Sequence, residues 1–577
     1  MRGNVRRQRM TPGAIAVRIV LVWFILAFIL FPNINIIINV LQEDGRFSAE
    51  AVTKLLKSKR AVKSMVNSLI LGVSLVITVN LVGTLVVLFT EYWDIRGAVV
   101  LKLAYMTSLV YGGVVLAMGY KFVYGSKGIV TKGLLALFPN MNANWFTGFW
   151  AVLFVMTFAC TSNHIIFLTN AVRGLDFHVI EAAKNMGASD GSILFKVVLP
   201  SLKPTLFALT IMTFLTGICA LSAPLMIGGN QFQTINPMIV SFAQSPGSRD
   251  LAAVLAMILG LMTIVLLVIM NRVERKGNYI SVSKTKAKMR KQKLRNPAAN
   301  VLAHAVAWGM FVIYMLPICL VVVFSFCNAL AIKTTTLSWD AFTIKNYVAL
   351  FTKQDAFRPY LVSIVYSIAA AAIACVISVI VARYARKNEH KSDAFFEYGL
   401  LIPWMLPTTF IALGLMFSYD VPRPFVGNKV LIGSIWMMLI AYVVVKLPFS
   451  FRMIRAAFFG VEDSLEEAGK TMGASTPYTM IKVILPVIMP TVVSVMAMNF
   501  NSLLSDFDLS VFLYSPKYQP LGVIIKAASD EGVNENAQAM ALVYSVVLMI
   551  LCGLALYLTQ GGGAAKMKKW IVKKVKR

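Results

Sequence analysis

The chain has 577 residues, of which 58% are hydrophobic and only 14% charged, with a mean hydropathy of +0.74 and a formal net charge of +30. Soluble proteins run at roughly 45–50% apolar and about 25% charged, so this chain has too little polar surface to cover a water-soluble globule. That excludes a soluble nucleic-acid binder as the first reading. An oily chain with many cations reads instead as a polytopic membrane protein whose charges sit in its loops.

A hydrocarbon core about 30 Å thick needs about 20 apolar helical residues to cross it. In chain order, such runs predict spans at 15–38, 64–90, 98–120, 148–170, 204–227 and 250–271. A second set follows at 301–327, 361–384, 395–418, 430–449, 487–513 and 537–559. The fold class expected is all-α, with about twelve transmembrane helices in two six-helix halves. Arg2, Arg6, Arg7 and Arg9 precede the first run, but Phe31-Pro32-Asn33-Ile34-Asn35 after it offers no small-x-small cleavage site. It is expected to be a retained helix rather than a signal peptide. Pro403 and Pro407 interrupt 395–418, which predicts a kinked or partly interfacial segment there.

The cations mark the orientation. The N-terminal arginines, the stretch from Arg272 to Arg295 and the tail from Lys566 to Arg577 together hold +20 of the +30. Placed in the cytoplasm, they make each half begin and end inside, beside anionic lipid headgroups. The loop 42–63 argues back, since it is then external yet carries six basic and three acidic residues. The organisation read from this is a basic N-terminus (1–14), a first half (15–271), a basic linker (272–300), a second half (301–560) and a basic tail (561–577). The six cysteines lie in apolar runs without CxxC spacing and the four histidines are scattered, so no disulfide framework or metal site is expected.

An internal repeat dominates the sequence. Residues 181–200 read EAAKNMGASDGSILFKVVLP and residues 467–486 read EAGKTMGASTPYTMIKVILP, identical at 11 of 20 positions at an offset of 286. The same offset carries Pro204 onto Pro490 and Phe232-Gln233 onto Tyr518-Gln519. The chain therefore reads as a tandem fusion of homologous halves. Each copy falls between the fourth and fifth spans of its half, on the cytoplasmic face. A helix-forming run from Glu181 to Met186 meets Gly187, which can adopt the left-handed conformation that ends a helix, and a second helical stretch is expected to stop at Pro200. A surface helix–turn–helix with small residues on one side suits docking into the groove of a partner.

Glu181-Ala182-Ala183, Gly187 and Leu199-Pro200 resemble the EAA loop of the permease subunits of bacterial ABC importers. The second copy keeps Glu467, Ala468 and Gly473 but has Gly469 where that family usually has Ala. The resemblance implies that Glu181, Ala182, Ala183 and Gly187, with Glu467, Ala468 and Gly473, form coupling helices that receive the closure of ATPase subunits. The Glu residues are expected to orient the loop, and Ala and Gly to permit close approach. It further implies two copies of a separate ATPase subunit carrying ATP-Mg, one extracytoplasmic solute-binding protein, a bacterial inner-membrane location and no cofactor bound by this chain. Gly469-Lys470-Thr471 is not the end of a phosphate-binding loop, because Ser464 stands where a P-loop requires Gly and no strand precedes it. No ATPase or other enzymatic activity is expected of the chain itself.

Ser222-Ala223-Pro224-Leu225-Met226-Ile227-Gly228-Gly229 and Phe232-Gln233-Thr234-Ile235 look most like the ferric-iron importer group. Related permeases carry phosphonates, sugar phosphates, thiamine or polyamines. Ionisable residues at membrane depth are functional by default, which singles out Asp506 and Asp508 as candidates for substrate contact. On a helix, a spacing of two sets them about 200° apart, so only one would face a central pathway. Asn163 and His164 read as helix-packing residues. The alternative class is a twelve-helix secondary transporter, which needs no ATPase and should show several intramembrane acids.

Overall fold

The computed structural model describes residues 12–43, 46–47, 50–109, 112–276, 289–387, 391–530 and 535–560. The N-terminal arginines, linker residues 277–288 and the tail 561–577 lie outside the described residues.

The protein is helical, apart from a short pairing of Gln42–Glu43 with Arg46–Phe47. In chain order the principal helices of the first half are α1 (Pro12–Leu41), α2 (Lys59–Tyr92), α3 (Ala98–Ser108 and Gly113–Leu137), α4 (Phe149–Cys160 and Ser162–Arg173), α5 (Phe177–Asn185), α6 (Asp190–Ile218) and α7 (Arg249–Ile269). Those of the second are α8 (Pro297–Ser325), α9 (Asp355–Arg386), α10 (Ser392–Met405 and Thr408–Tyr419), α11 (Ile435–Phe459), α12 (Asp463–Thr471), α13 (Thr476–Leu504) and α14 (Asn536–Ala555). Among the described residues nine of these are long and apolar enough to cross a membrane, and the bent pairs α3, α4 and α10 bring the number to twelve.

Two of the twelve are sharply broken. The limbs of α10 meet at 109°, where Pro403 and Pro407 remove two backbone donors, as the sequence predicts. The limbs of α3, Ala98–Ser108 and Gly113–Leu137, lie at 111° to one another, a bend that hydropathy does not reveal although Gly112 and Gly113 stand beside it.

The fifth span of each half also departs from expectation. Pro200 does not stop the helix: α6 runs from Asp190 through a π turn at Leu194–Val198 and on to Ile218. The wider turn accommodates a residue that cannot donate to the ladder. Pro486 follows an equivalent π turn at Met480–Ile484 in α13. Both spans therefore begin and end earlier than 204–227 and 487–513.

The repeat extends beyond the motif. Ser68 Oγ on α2 accepts the Ile235 N–H at 2.8 Å, and Ser363 Oγ on α9 accepts the Leu521 N–H at 2.8 Å. Ile235 and Leu521 keep the 286 offset, whereas the two serines are 295 apart, so the second half is nine residues shorter between its serine and the conserved core.

The first helix of each half packs on the other half. Leu21, Ile25, Phe28 and Ile29 of α1 share a buried cluster with Ile411, Tyr442 and Phe451. Ala307, Tyr314 and Phe324 of α8 share one with Leu101, Tyr105 and Phe158. Hydrogen bonds fix both exchanges: Tyr419 Oη donates to the Ala27 carbonyl at 2.5 Å and Tyr105 Oη to the Ala307 carbonyl at 2.7 Å. Arg18 on α1 adds a 2.7 Å ion pair with the buried Asp393 of α10. All six cysteines are free. His164 is buried within α4, with Nε2 3.1 Å from Asn80 Oδ1, and it packs on Gly83, where a Cβ would stand 2.5 Å from the ring.

Candidate functional site: two coupling loops and a polar centre

Each half presents the same loop, between its fourth and fifth candidate spans. In the first, Asp176 caps α5 by accepting the His178 N–H at 3.1 Å. Gly187 follows at φ +82°, and the Gly187 and Ala188 N–H groups turn back to the Lys184 and Ala183 carbonyls at 2.9 and 3.1 Å. Ser189 then caps α6 by accepting the Ser192 N–H. In the second, Gly473 sits at φ +78°, the Ala474 N–H reaches the Gly469 carbonyl at 3.0 Å, and Ser475 caps α13 through the Tyr478 N–H. Positive φ is what ends both helices with their last carbonyls satisfied.

Glu181, Ala182 and Gly187 are exposed, as are Glu467, Ala468 and Gly473, while Ala183 is buried beneath its helix. Glu181 lies 3.6 Å from His178. Two apolar residues stand at each loop's outer surface in equivalent places: Met186 (81% exposed) with Phe195, and Met472 (86%) with Ile481. Gly469 replaces the buried Ala183 because a Cβ there would meet Thr479 Oγ1 at 2.9 Å. Gly469-Lys470-Thr471 lies in the helix α12, not in a phosphate-cradling loop.

The two loops are anchored by residues that the sequence reading did not find. Under the second, Arg383 of α9 grips Glu466 through both guanidinium ends, at 2.7 and 2.5 Å, and Arg386 donates to the Phe458 and Val461 carbonyls and pairs with Asp463. Under the first, Glu91 of α2 pairs with Arg173 at 2.7 Å and with Lys102. The linker adds a strap here. The Gln292 N–H donates to the Tyr92 carbonyl at 2.7 Å, and the Gln292 carbonyl accepts the Asp94 N–H at 2.9 Å. Gln292 Oε1 accepts from Lys184 at 2.5 Å, and the Arg295 N–H donates to Asp190 at 3.1 Å. The only signal for the arginines was their cationic character at the end of an apolar span. Nothing in the linker's composition pointed to Gln292.

A polar centre lies where the halves meet. The sequence reading treated Asp506 and Asp508 as helical, but α13 ends at Leu504, so both stand in the turn before Ser510–Leu513 and the helical angle between them does not apply. Asp508 accepts a 2.9 Å hydrogen bond from Ser222, its own repeat equivalent in the first half. Asp506 accepts the Ser510 N–H at 3.1 Å. The broken span α3 brings the first half's backbone up to the same turn, since a Cβ on Gly112 would lie 2.6 Å from Ser505 Oγ.

Lys446, unremarked in the sequence reading, completes the group. Its ammonium donates to Ser502 Oγ at 2.6 Å and lies within electrostatic reach of Asp506. It sits eleven residues into α11, about 16 Å along the helix at 1.5 Å per residue. Since Ser502 is two residues from the end of α13, the ammonium and the two carboxylates gather at that helix's end. The first half has Ala220, Ser222 and Cys160 where the second has Asp506, Asp508 and Lys446.

Two homologous sets of apolar helices, each with the same exposed loop around a shared polar centre, define a transport permease rather than an enzyme. The family described as binding-protein-dependent transport system inner membrane component matches residues 106–276 and 374–561, more than half the chain, and the protein belongs to it. A probable ABC transporter permease protein of Sinorhizobium fredii, y4fN, is 36% identical over 532 residues, covering 92% of this chain and 93% of that one. The ferric transport system permease protein FbpB of Actinobacillus pleuropneumoniae is 22% identical over 93% of this chain and 77% of its own length. A putative 2-aminoethylphosphonate transport system permease protein, PhnV, of Salmonella paratyphi A is 22% identical over 44% of this chain and 93% of its own.

Proposed function

We propose that this chain, through its fused halves (15–271 and 301–560), forms the whole membrane pathway of an ATP-driven importer in the bacterial inner membrane, with both termini and the linker in the cytoplasm. Two copies of an ATPase subunit, which hold the ATP-Mg, dock on the Met186–Gly187 and Met472–Gly473 loops through Glu181, Ala182, Glu467 and Ala468, while the buried Ala183 holds its helix to the body of the protein. Their closure draws the loops together and rocks the halves about the polar centre. A solute-binding protein delivers the cargo to the opposite face. The observation that carries this reading is the pair of loops with equivalent backbone turns and equivalent apolar apices at the 286 offset. The importer reading fails if vesicles containing the chain take up solute without any ATPase subunit.

The proposed cargo is ferric iron. Asp506 and Asp508 bring two carboxyl groups to the centre, and carboxylate oxygens suit a hard cation. The relative in Actinobacillus pleuropneumoniae, named a ferric transport permease, supports the same choice. Lys446 favours a second reading, because a cation and a carboxylate side by side also match a zwitterion such as 2-aminoethylphosphonate, the solute named for the Salmonella relative. Ligand profiling of the partner binding protein with ferric iron, 2-aminoethylphosphonate, a sugar phosphate, thiamine and spermidine separates them. Retention of iron alone is the expected result, and retention of any other solute without iron overturns the choice.

A further inference from the structure

The connection between α8 and α9 is folded rather than loose. Cys327 and Phe342 pair in antiparallel fashion, the Thr343 N–H donates to the Phe326 carbonyl at 2.6 Å, and the Asn328 N–H donates to the Ala341 carbonyl at 2.8 Å. The short helix Lys345–Thr352 packs one side on this base. On that side Leu350 is fully buried, Tyr347 stacks on Phe326 with ring centroids 4.7 Å apart, and Asn346 Nδ2 donates to the Cys327 carbonyl at 2.8 Å. The other side is bare. Ile344, Val348 and Phe351, spaced by four and three, share it, and each is at least half exposed. Trp339, with its ring 6.1 Å from that of Phe342, is 92% exposed.

What covers this face follows from its continuity with α9. The Phe351 ring lies 5.9 Å from that of Phe357, which stands one turn before the exposed stripe Leu361, Val365 and Ile368 of α9. That stripe belongs to a candidate span and must meet acyl chains. The opposite end of α9 carries Arg383, which grips Glu466 beneath the second coupling loop, about 42 Å along the helix from Asp355 at 1.5 Å per residue. A hydrocarbon core about 30 Å thick therefore lies between that loop and the folded connection. The chemistry agrees with a position at the far boundary, because tryptophan beside exposed Lys345 and Lys353 is the mixture found where acyl chains give way to headgroups. A reversibly docking protein fits less well. Such surfaces are no more apolar than the rest of a protein's exterior, whereas Ile344, Val348 and Phe351 have no polar side-chain atom. The corresponding connection of the first half has no such face: among the described residues of 42–61, Leu56 is the single large apolar side chain that stands bare.

We infer that residues 337–351 are an interfacial anchor, seated in the phospholipid leaflet opposite the second coupling loop, with Trp339 at headgroup level and the Ile344–Val348–Phe351 face against the upper acyl chains. The anchor rests on the membrane-spanning character of the chain and not on its cargo or its ATPase. Held there, α9 is a rod with one end fixed in the leaflet and the other clamped to the second coupling loop by Arg383 and Glu466.

The test uses the full chain labelled with 5-fluorotryptophan, in phosphatidylcholine–phosphatidylglycerol nanodiscs without any partner protein. The fluorine resonance of Trp339, one of nine tryptophans, is assigned by its loss in Trp339→Phe. A lipid carrying a nitroxide near its headgroup should broaden that resonance several-fold more than a gadolinium chelate in the water does. The new resonance of Val348→Trp, at an exposed position, should follow the same order and probes the helical face directly. Equal or stronger broadening by the aqueous chelate at both positions would leave the face open for a docking protein and overturn the anchor. Strongest broadening by a nitroxide at the acyl-chain terminus would place the segment in the bilayer interior and overturn its interfacial position.

Discussion

Gly187 and Gly473 allow a test that separates backbone strain from steric docking. Both sit at positive φ, +82° and +78°, and neither has any atom within 4 Å of the place a Cβ would occupy. A substitution therefore meets no clash within this chain, and its intrinsic cost is the left-handed conformation alone, about 1–2 kcal/mol for Ala and more for a β-branched residue. Asn tolerates that region better than Ala although it is larger. A cost of about 1.4 kcal/mol raises the population of an opened loop tenfold, so Gly187→Val should leave the loop misfolded many times more often than Gly187→Asn. Global melting should change little, since Gly187 and Gly473 are themselves exposed at the tips of the loops. The assay is ATPase activity and uptake in vesicles reconstituted with the ATPase and binding protein. The order expected is Gly, Asn, Ala, Val at either position. If a partner's groove merely required the absence of a side chain, Ala would be tolerated better than Asn, and that order would refute the reasoning.

Three further outcomes are expected. Asp508→Asn or Lys446→Met should abolish most uptake while leaving ATPase docking intact, because the centre, and not the loops, loses charge; uptake at the wild-type level in both would remove the centre from the pathway. Arg383→Met strands Glu466, which is mostly buried, and should destabilise the chain by about 2–3 kcal/mol, with the exchanged pair Arg383→Glu and Glu466→Arg recovering part of it in thermal unfolding. Gln292→Pro removes the donor to the Tyr92 carbonyl, worth about 1 kcal/mol, and should speed amide exchange over residues 177–192 while residues 463–478 keep their protection.

The coupling loops were largely legible because their signals are local. A helix-forming run, a glycine and a serine cap act over a few residues, and two copies at a fixed offset cannot arise from composition alone. The break in α10 was legible for the same reason, through Pro403 and Pro407. The break in α3 was missed because Gly112 and Gly113 permit a turn without requiring one. Pro200 misled because its effect depends on how the preceding turn widens. Asp506 and Asp508 were found by charge, but their geometry was misread, since hydropathy does not show that α13 ends at Leu504.

By itself the sequence determined the all-helical apolar class, the duplication and the two helix–turn–helix loops, because each follows from hydrophobicity, period or local backbone preference. Only the tertiary structure decided that α1 and α8 cross to the opposite halves, that Gln292 straps one loop and Arg383 the other, and that Ser222 meets its own counterpart, Asp508. Those contacts join residues tens to hundreds of positions apart, and packing selects them through shape and pairing that no local stretch of chain records.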